Sequence, residues 1–209
     1  MAIRVASGTL EQIRFRVWRC VICGETTLSI DPPTHCPYCG SHGDKISNSP
    51  GEYDASLKLL QTSSPVTETD KANLQSGIRA EMFDSTFYLC ASKRPAPSDV
   101  QSMFKRLSLV ENEHAEILSL AAGIVYVPMD ASEIAQIEQI VDKLYKEDQW
   151  ISIVKVASRR EHDAAMKYME FGSGTGNSRL SIIWIALSEV EIDHASLQSH
   201  LMRKMIESI

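Results

Sequence analysis

The sequence is short of the features that would take it to a membrane, to nucleic acid or out of the cell. Its longest nearly apolar runs, "LSLAAGIVYVP" and "SIIWIALS", fall well below the ~20 residues that a bilayer-spanning helix needs, so no membrane partner is expected. The start, "MAIRVASGTLEQIRFR", has no apolar h-region, and a secretory signal peptide is not expected there. A formal net charge of −6 with no basic stripe argues against a nucleic-acid partner. Cysteine is scarce too. There are 5 in 209 residues, and four of them stand in two close pairs, which suits a reducing compartment and a metal better than a disulfide framework. The expectation is a soluble, cytoplasmic protein of one or two domains.

What is present falls into three stretches. Residues 1–41 read as a small strand-and-turn module: "IRFRVWRC" alternates apolar and polar side chains, and "DPPTHCPYCG" is turn chemistry. Residues 42–68 are rich in Ser, Gly, Asp and Pro and read as a linker, with a helical turn at "YDASLKLL". Residues 69–209 read as long helices. The first is stopped by "RPAP"; the second opens on a Ser98–Gln101 capping box and runs to Gly123. A connecting helix is capped by Asp130 and Glu133, and two further helices cover about 149–171 and 178–208. Each long helix of about 25 residues spans ~37 Å. Short turns join the first pair and the last pair, and a long stretch separates the pairs. This predicts a mainly α fold, two antiparallel hairpins joined by one crossover as in ferritin-like bundles.

The four paired cysteines are Cys20, Cys23, Cys36 and Cys39. Each Cys-x-x-Cys puts two sulfurs on one tight turn, and Gly24 and Gly40 follow the pairs and permit the required backbone twist. Two such turns make a tetrahedral sulfur cage suited to zinc or iron. The spacing does not choose between them: zinc makes the module a structural knob, iron a one-electron carrier. Trp18 and Tyr38 flank the cage. Cys90, alone in the first helix, reads as a small core residue.

The helices carry a repeat. "ENEH" supplies Glu111 and His114, and "EIDH" supplies Glu191 and His194, eighty residues on. In each pair the two side chains share a helix face. Thirty residues before each pair stand Glu81 and Glu161, and seven residues after those stand Tyr88 and Tyr168, on the same face as their glutamates. Burying four carboxylates and two imidazoles together is costly unless they are neutralised. Two divalent cations balance four glutamates while the histidines bind neutral. The pattern therefore predicts a dinuclear carboxylate metal centre, with Tyr88 and Tyr168 donating to ligand carboxylates.

These residues resemble the rubrerythrins, which combine a rubredoxin-type module with a ferritin-like di-iron bundle. The resemblance covers residues 18–41 and about 69–207, and the module comes first, as in the reversed-order members. It implies iron in both sites: two ions held by Glu81, Glu111, His114, Glu161, Glu191 and His194, and one in the four-cysteine cage. It also implies reduction of hydrogen peroxide to water, with electrons passing from an unknown reductase through the cage. The family's extra glutamate, three residues after the third-helix ligand, is here Ala164. Asp84, three residues after Glu81, takes the pseudo-symmetric place and is expected to supply that carboxylate instead; a salt-bridged aspartate is the alternative. His162 is expected at the surface. The long linker permits docking on a partner chain, so a homodimer is expected. Two other functions stay open: ferrous oxidation by dioxygen, and a non-catalytic metal-binding protein with a structural zinc module.

Overall fold

The chain begins its described structure as a sheet. The structure is a computed structural model and describes residues 16–24, 26–29, 31–36, 39–48, 65–124 and 127–207. Strand β1 (Arg16–Cys20) is central, with β2 (Thr26–Ser29) and β3 (Ile46–Asn48) antiparallel on either side of it. Val17 pairs with Leu28, and Cys20 with Ile46. Strand β3 lies past residue 41, so the module reaches into the stretch read from sequence as linker. Three residues entered from a single 3-10 turn, Gly43–Lys45, are too short for a period-two pattern to stand out. The helical turn expected within 53–60, the beginning of the strand before residue 16, and Tyr38 lie outside the described residues.

Four helices follow. In α1 (Glu68–Ala91), Thr67 and Asp70 close a reciprocal capping box. In α2 (Ser98–Ala122) the expected Ser98–Gln101 box does not form. Pro97 takes the cap position, Ser98 falls inside the helix, and the Gln101 amide donates instead to the Arg94 carbonyl at 2.9 Å, bracing the turn from α1. Gly123 ends α2 in the left-handed region at φ 66°, where its missing Cβ is an advantage. Helix α3 (Ala131–Gly174) opens on the Asp130–Glu133 box and is broken at Asp148 and Gln149. Gln149 has φ 50°, the one positive value at a non-glycine among the described residues. That break divides a crossover segment, 131–147, from a bundle segment, 150–174. Helix α4 (Ser178–Glu207) completes the set.

Helix α1 packs along α2, α3 along α4, and the two hairpins face each other chiefly through α1 and α3. This is a ferritin-like four-helix bundle with one long crossover, preceded by a small rubredoxin-like module. Two apolar clusters fill it. One gathers Leu74, Ile78, Leu118, Trp184 and Leu187; the other gathers Phe87, Phe104, Leu107, Trp150 and Val141. Along α1, Glu81 falls between residues of the two clusters, and along α4 so do Glu191 and His194. Polar ligands are thus held at mid-bundle with a dry core on either side. Gly77 lets α1 approach closely, since a Cβ there would meet the Trp184 ring at 2.7 Å. No helix among the described residues is long and apolar enough to cross a membrane.

Candidate metal centres

The two Cys-x-x-Cys turns meet. Gly24 N–H donates to the Cys20 carbonyl at 2.9 Å and Gly40 N–H to the Cys36 carbonyl at 3.0 Å, with both glycines at positive φ. Those bonds fold each pair into a knuckle. The four sulfurs lie within 4.8 Å of one another, with Cys20 3.8 Å from Cys39 and Cys23 3.6 Å from Cys36. All four are free thiols. Ser41 is a residue that sequence reasoning missed: its hydroxyl lies 3.1 Å from the Cys20 sulfur and 3.2 Å from that of Cys39. Its place directly after the second Cys-x-x-Cys-Gly was the available signal. Trp18, on the module's central strand, is buried, and Cys90 is buried in the bundle.

The six expected bundle ligands converge, each at 2% exposure or less. Each histidine turns its Nδ1 inward. His114 Nδ1 lies 3.0 Å from Glu111 Oε2, 3.3 Å from Glu191 Oε1 and 3.6 Å from Glu81 Oε2. His194 Nδ1 lies 3.2 Å from Glu191 Oε2, 3.3 Å from Glu111 Oε1 and 3.9 Å from Glu161 Oε1. Glu111 and Glu191 therefore each give one oxygen to the His114 side and the other to the His194 side. The two donor groups, Glu81–Glu111–His114–Glu191 and Glu111–Glu161–Glu191–His194, share those two glutamates. The imidazole rings are near-parallel, with centroids 6.1 Å apart.

The electrostatics are those of a site built for cations. Burial, and then the charge of Glu191, push the Glu81 carboxyl well above its usual range. Burial, with Glu111 and Glu191, does the same to Glu161. Glu111 and Glu191 go the other way: burial opposes their ionisation, but the imidazoles beside them prevail. Burial works against a charged His114, yet the carboxylate of Glu111 raises the imidazole well above its usual value. Glu111 Oε1 and Glu191 Oε1 are buried without a hydrogen-bond donor. Protons therefore do the neutralising that two divalent cations would do better, and the orphaned oxygens face the shared space. Four carboxylates and two Nδ1 atoms fit a pair of such ions.

The tyrosines cross between halves. Tyr88, on α1, donates to Glu161 on α3, and Tyr168, on α3, donates to Glu81 on α1. Burial, then the charge of the glutamate each one meets, keeps both phenols protonated. Tyr88 stacks on Phe104 at 5.6 Å and Tyr168 lies against Trp184 at 5.1 Å, and Phe104 and Trp184 are again eighty residues apart. The repeat breaks at Gln198, which donates to both Tyr88 and Glu161 at 3.1 Å, whereas its counterpart eighty residues earlier is Leu118.

Asp84 does not join the ligands. Both of its oxygens are taken by Arg160, at 2.6 Å from Nε and 3.1 Å from NH2, and it belongs to neither donor group. The Arg160 guanidinium also lies 4.1 Å over the Phe83 ring. The expected extra carboxylate is thus the salt-bridged alternative. Arg160 was missed because it sits next to Glu161 in sequence yet turns to the opposite helix. At the positions equivalent by the repeat, Ala80 and Ala164, there is no charge at all. His162 is exposed, as expected of a surface residue.

A ferritin-like bundle holding two donor groups with shared carboxylates, behind a four-thiolate module, defines a class: a protein equipped for two separate metal centres. The chain is similar to Reverse rubrerythrin-1 of Clostridium acetobutylicum, 27% identical over 115 residues that cover 53% of this chain. It spans 64% of that relative's length. No protein-family profile matches the chain, and no solved structure does. The match, together with a four-cysteine group placed ahead of the bundle, supports a reverse-rubrerythrin type of family for this chain.

Proposed function

We propose that this protein is a non-haem di-iron peroxidase that reduces hydrogen peroxide to water in oxidative-stress defence, its electrons relayed through an iron-loaded four-cysteine module from a cytoplasmic reductase. The reading is carried by one observation, the sharing of Glu111 and Glu191 between the His114 and His194 sides. Carboxylates shared in this way would hold two metal ions side by side, and such a pair could supply the two electrons that one small molecule takes up. Bound iron supplies the redox chemistry: two electrons and two protons turn one hydrogen peroxide into two waters. The chain's own residues do the rest. Glu81 with His114, and Glu161 with His194, complete the two sets. Tyr168 and Tyr88 fix the orientation of Glu81 and Glu161 through their hydroxyl protons. The apolar clusters above and below exclude bulk water.

A second reading, ferrous oxidation by dioxygen, is favoured by Asp84: with Arg160 holding it, and Ala164 opposite, neither half offers a fifth carboxylate. One experiment separates the two. Protein reduced without oxygen is mixed in one arm with hydrogen peroxide and in the other with air-saturated buffer. Much faster reoxidation by peroxide supports the peroxidase; equal or faster reoxidation by air overturns it in favour of the oxidase. A cage that stays colourless on purification points to zinc and removes the relay.

A further inference from the structure

The two halves of the carboxylate centre are built on one repeat, but they are not held alike. On the His114 side, among the described residues, Glu81 takes a single uncharged donor, the Tyr168 hydroxyl. On the His194 side, Glu161 Oε1 takes two: the Tyr88 hydroxyl and, at 3.1 Å, the Gln198 amide Nε2. The same amide nitrogen donates at 3.1 Å to the Tyr88 oxygen and closes a ring of hydrogen bonds. The orientation of the amide follows from its neighbour. Turned over, its oxygen would face a carboxylate oxygen, which only accepts. Gln198 is fully buried and stands one turn after His194, on the ligand face of α4. Its own Oε1 is buried without a donor, which costs stability. Leu118, at the equivalent place in the repeat, carries no such cost. Packing alone would be served by a second leucine.

We propose that Gln198 is a positioning residue that makes the two metal positions unequal. It locks Glu161 in place before a cation arrives, so a divalent cation binds more tightly on the His194 side than on the His114 side. Fixing a free glutamate side chain at the moment of binding costs rotamer entropy. At Glu161 two donors have already ordered the side chain; at Glu81 Tyr168 does so alone. Outer hydrogen bonds of this kind change metal affinity about 10–100-fold. The His194 position is therefore expected to fill first. The inference rests on the bundle holding two cations, as the proposed function does, but not on their identity or on peroxide.

The probe is cobalt(II), added stepwise without oxygen to the full-length chain and followed by calorimetry and absorption. Cobalt in the cage is marked by thiolate charge-transfer bands, and cobalt in the bundle by ligand-field bands alone. Two variants each keep one bundle position: His114→Ala leaves the His194 side, and His194→Ala leaves the His114 side. Affinity in the bundle should be about tenfold or more tighter in His114→Ala. Adding Gln198→Met, which keeps an unbranched side chain and removes its donors, should weaken cobalt binding by His114→Ala about 10–100-fold. It should leave binding by His194→Ala and helical circular dichroism unchanged. Gln198→Leu, the residue that stands at 118, should act in the same way and replaces the methionine variant if that one does not fold. Equal affinities in the two histidine variants, the reverse order, or a fall of the same size in both on loss of Gln198 overturns the proposal; the last marks a structural role only. Wild type is titrated alongside. Two bundle ions there, with equal single-position affinities, sink the role of Gln198 and leave the dinuclear centre standing; a wild-type bundle that takes up no cobalt sinks both.

Discussion

Replacing Arg160 by methionine strands a buried carboxylate, and the structure fixes both the size and the pH dependence of the cost. Asp84 is 5% exposed and both of its oxygens are held by Arg160. Removing one partner of a fully buried pair costs about 3–5 kcal/mol. The Arg160 side chain is 35% exposed, which admits water and brings the expectation to about 2 kcal/mol. Methionine keeps the packing over Phe83, so the loss reports the charge. For a chain of this size that is a fall of about 4–8 °C in melting temperature. Burial lifts the Asp84 carboxyl from 3.8 to about 6, against the pull of Arg160 and with Glu111 and Glu191 adding to the rise. A raised carboxyl in the folded state means that ionising it costs stability. The fold is favoured below the unfolded value, and that advantage is lost as pH rises through about 6. Without Arg160 the folded value climbs further, so the deficit of the variant is larger at about pH 8 than at about pH 5. Thermal unfolding followed by helical circular dichroism at both pH values, at one fixed metal load, measures it. The double variant Asp84→Leu with Arg160→Met should regain most of the loss. A deficit that is absent, or equal at the two pH values, refutes the reasoning.

Two further outcomes follow from the ligand set. Tyr168→Phe removes the hydroxyl that orients Glu81, and Tyr88→Phe leaves Glu161 with Gln198; metal affinity by chelator competition should fall about 10–100-fold, more for Tyr168→Phe, and unchanged affinity in both would contradict the roles assigned. Burial raises the Glu81 and Glu161 carboxyls, and Glu111 raises His114, so metal binding should displace protons from the site: apparent affinity should weaken roughly tenfold per pH unit for each proton displaced as pH falls, and a flat profile would contradict the electrostatics.

Much of this was legible because it is periodic. Glu81, Glu111 and His114 recur as Glu161, Glu191 and His194 at a constant offset, and helix geometry alone puts each set on one face. The cysteine knuckles were legible for a similar reason, since two residues of spacing and a glycine define the turn. What escaped depends on how helices are rotated against one another. Arg160 neighbours Glu161 in sequence and gives no sign that it spans to Asp84. Gln198 shows only as a departure from the repeat, opposite Leu118. The Ser98–Gln101 pair has the letters of a capping box, but Pro97 had already set the cap. Strand β3 was lost in a polar stretch because three residues carry no period.

Counting metal in the bundle tests the central claim most directly. Protein reconstituted without oxygen in ferrous iron and passed through a desalting column should retain about three ions per chain, two in the bundle and one in the cage. With Glu111→Gln and Glu191→Gln together it should retain about one, with helical content unchanged. A wild-type bundle that holds no metal, or a double variant that holds as much as wild type, would contradict the account.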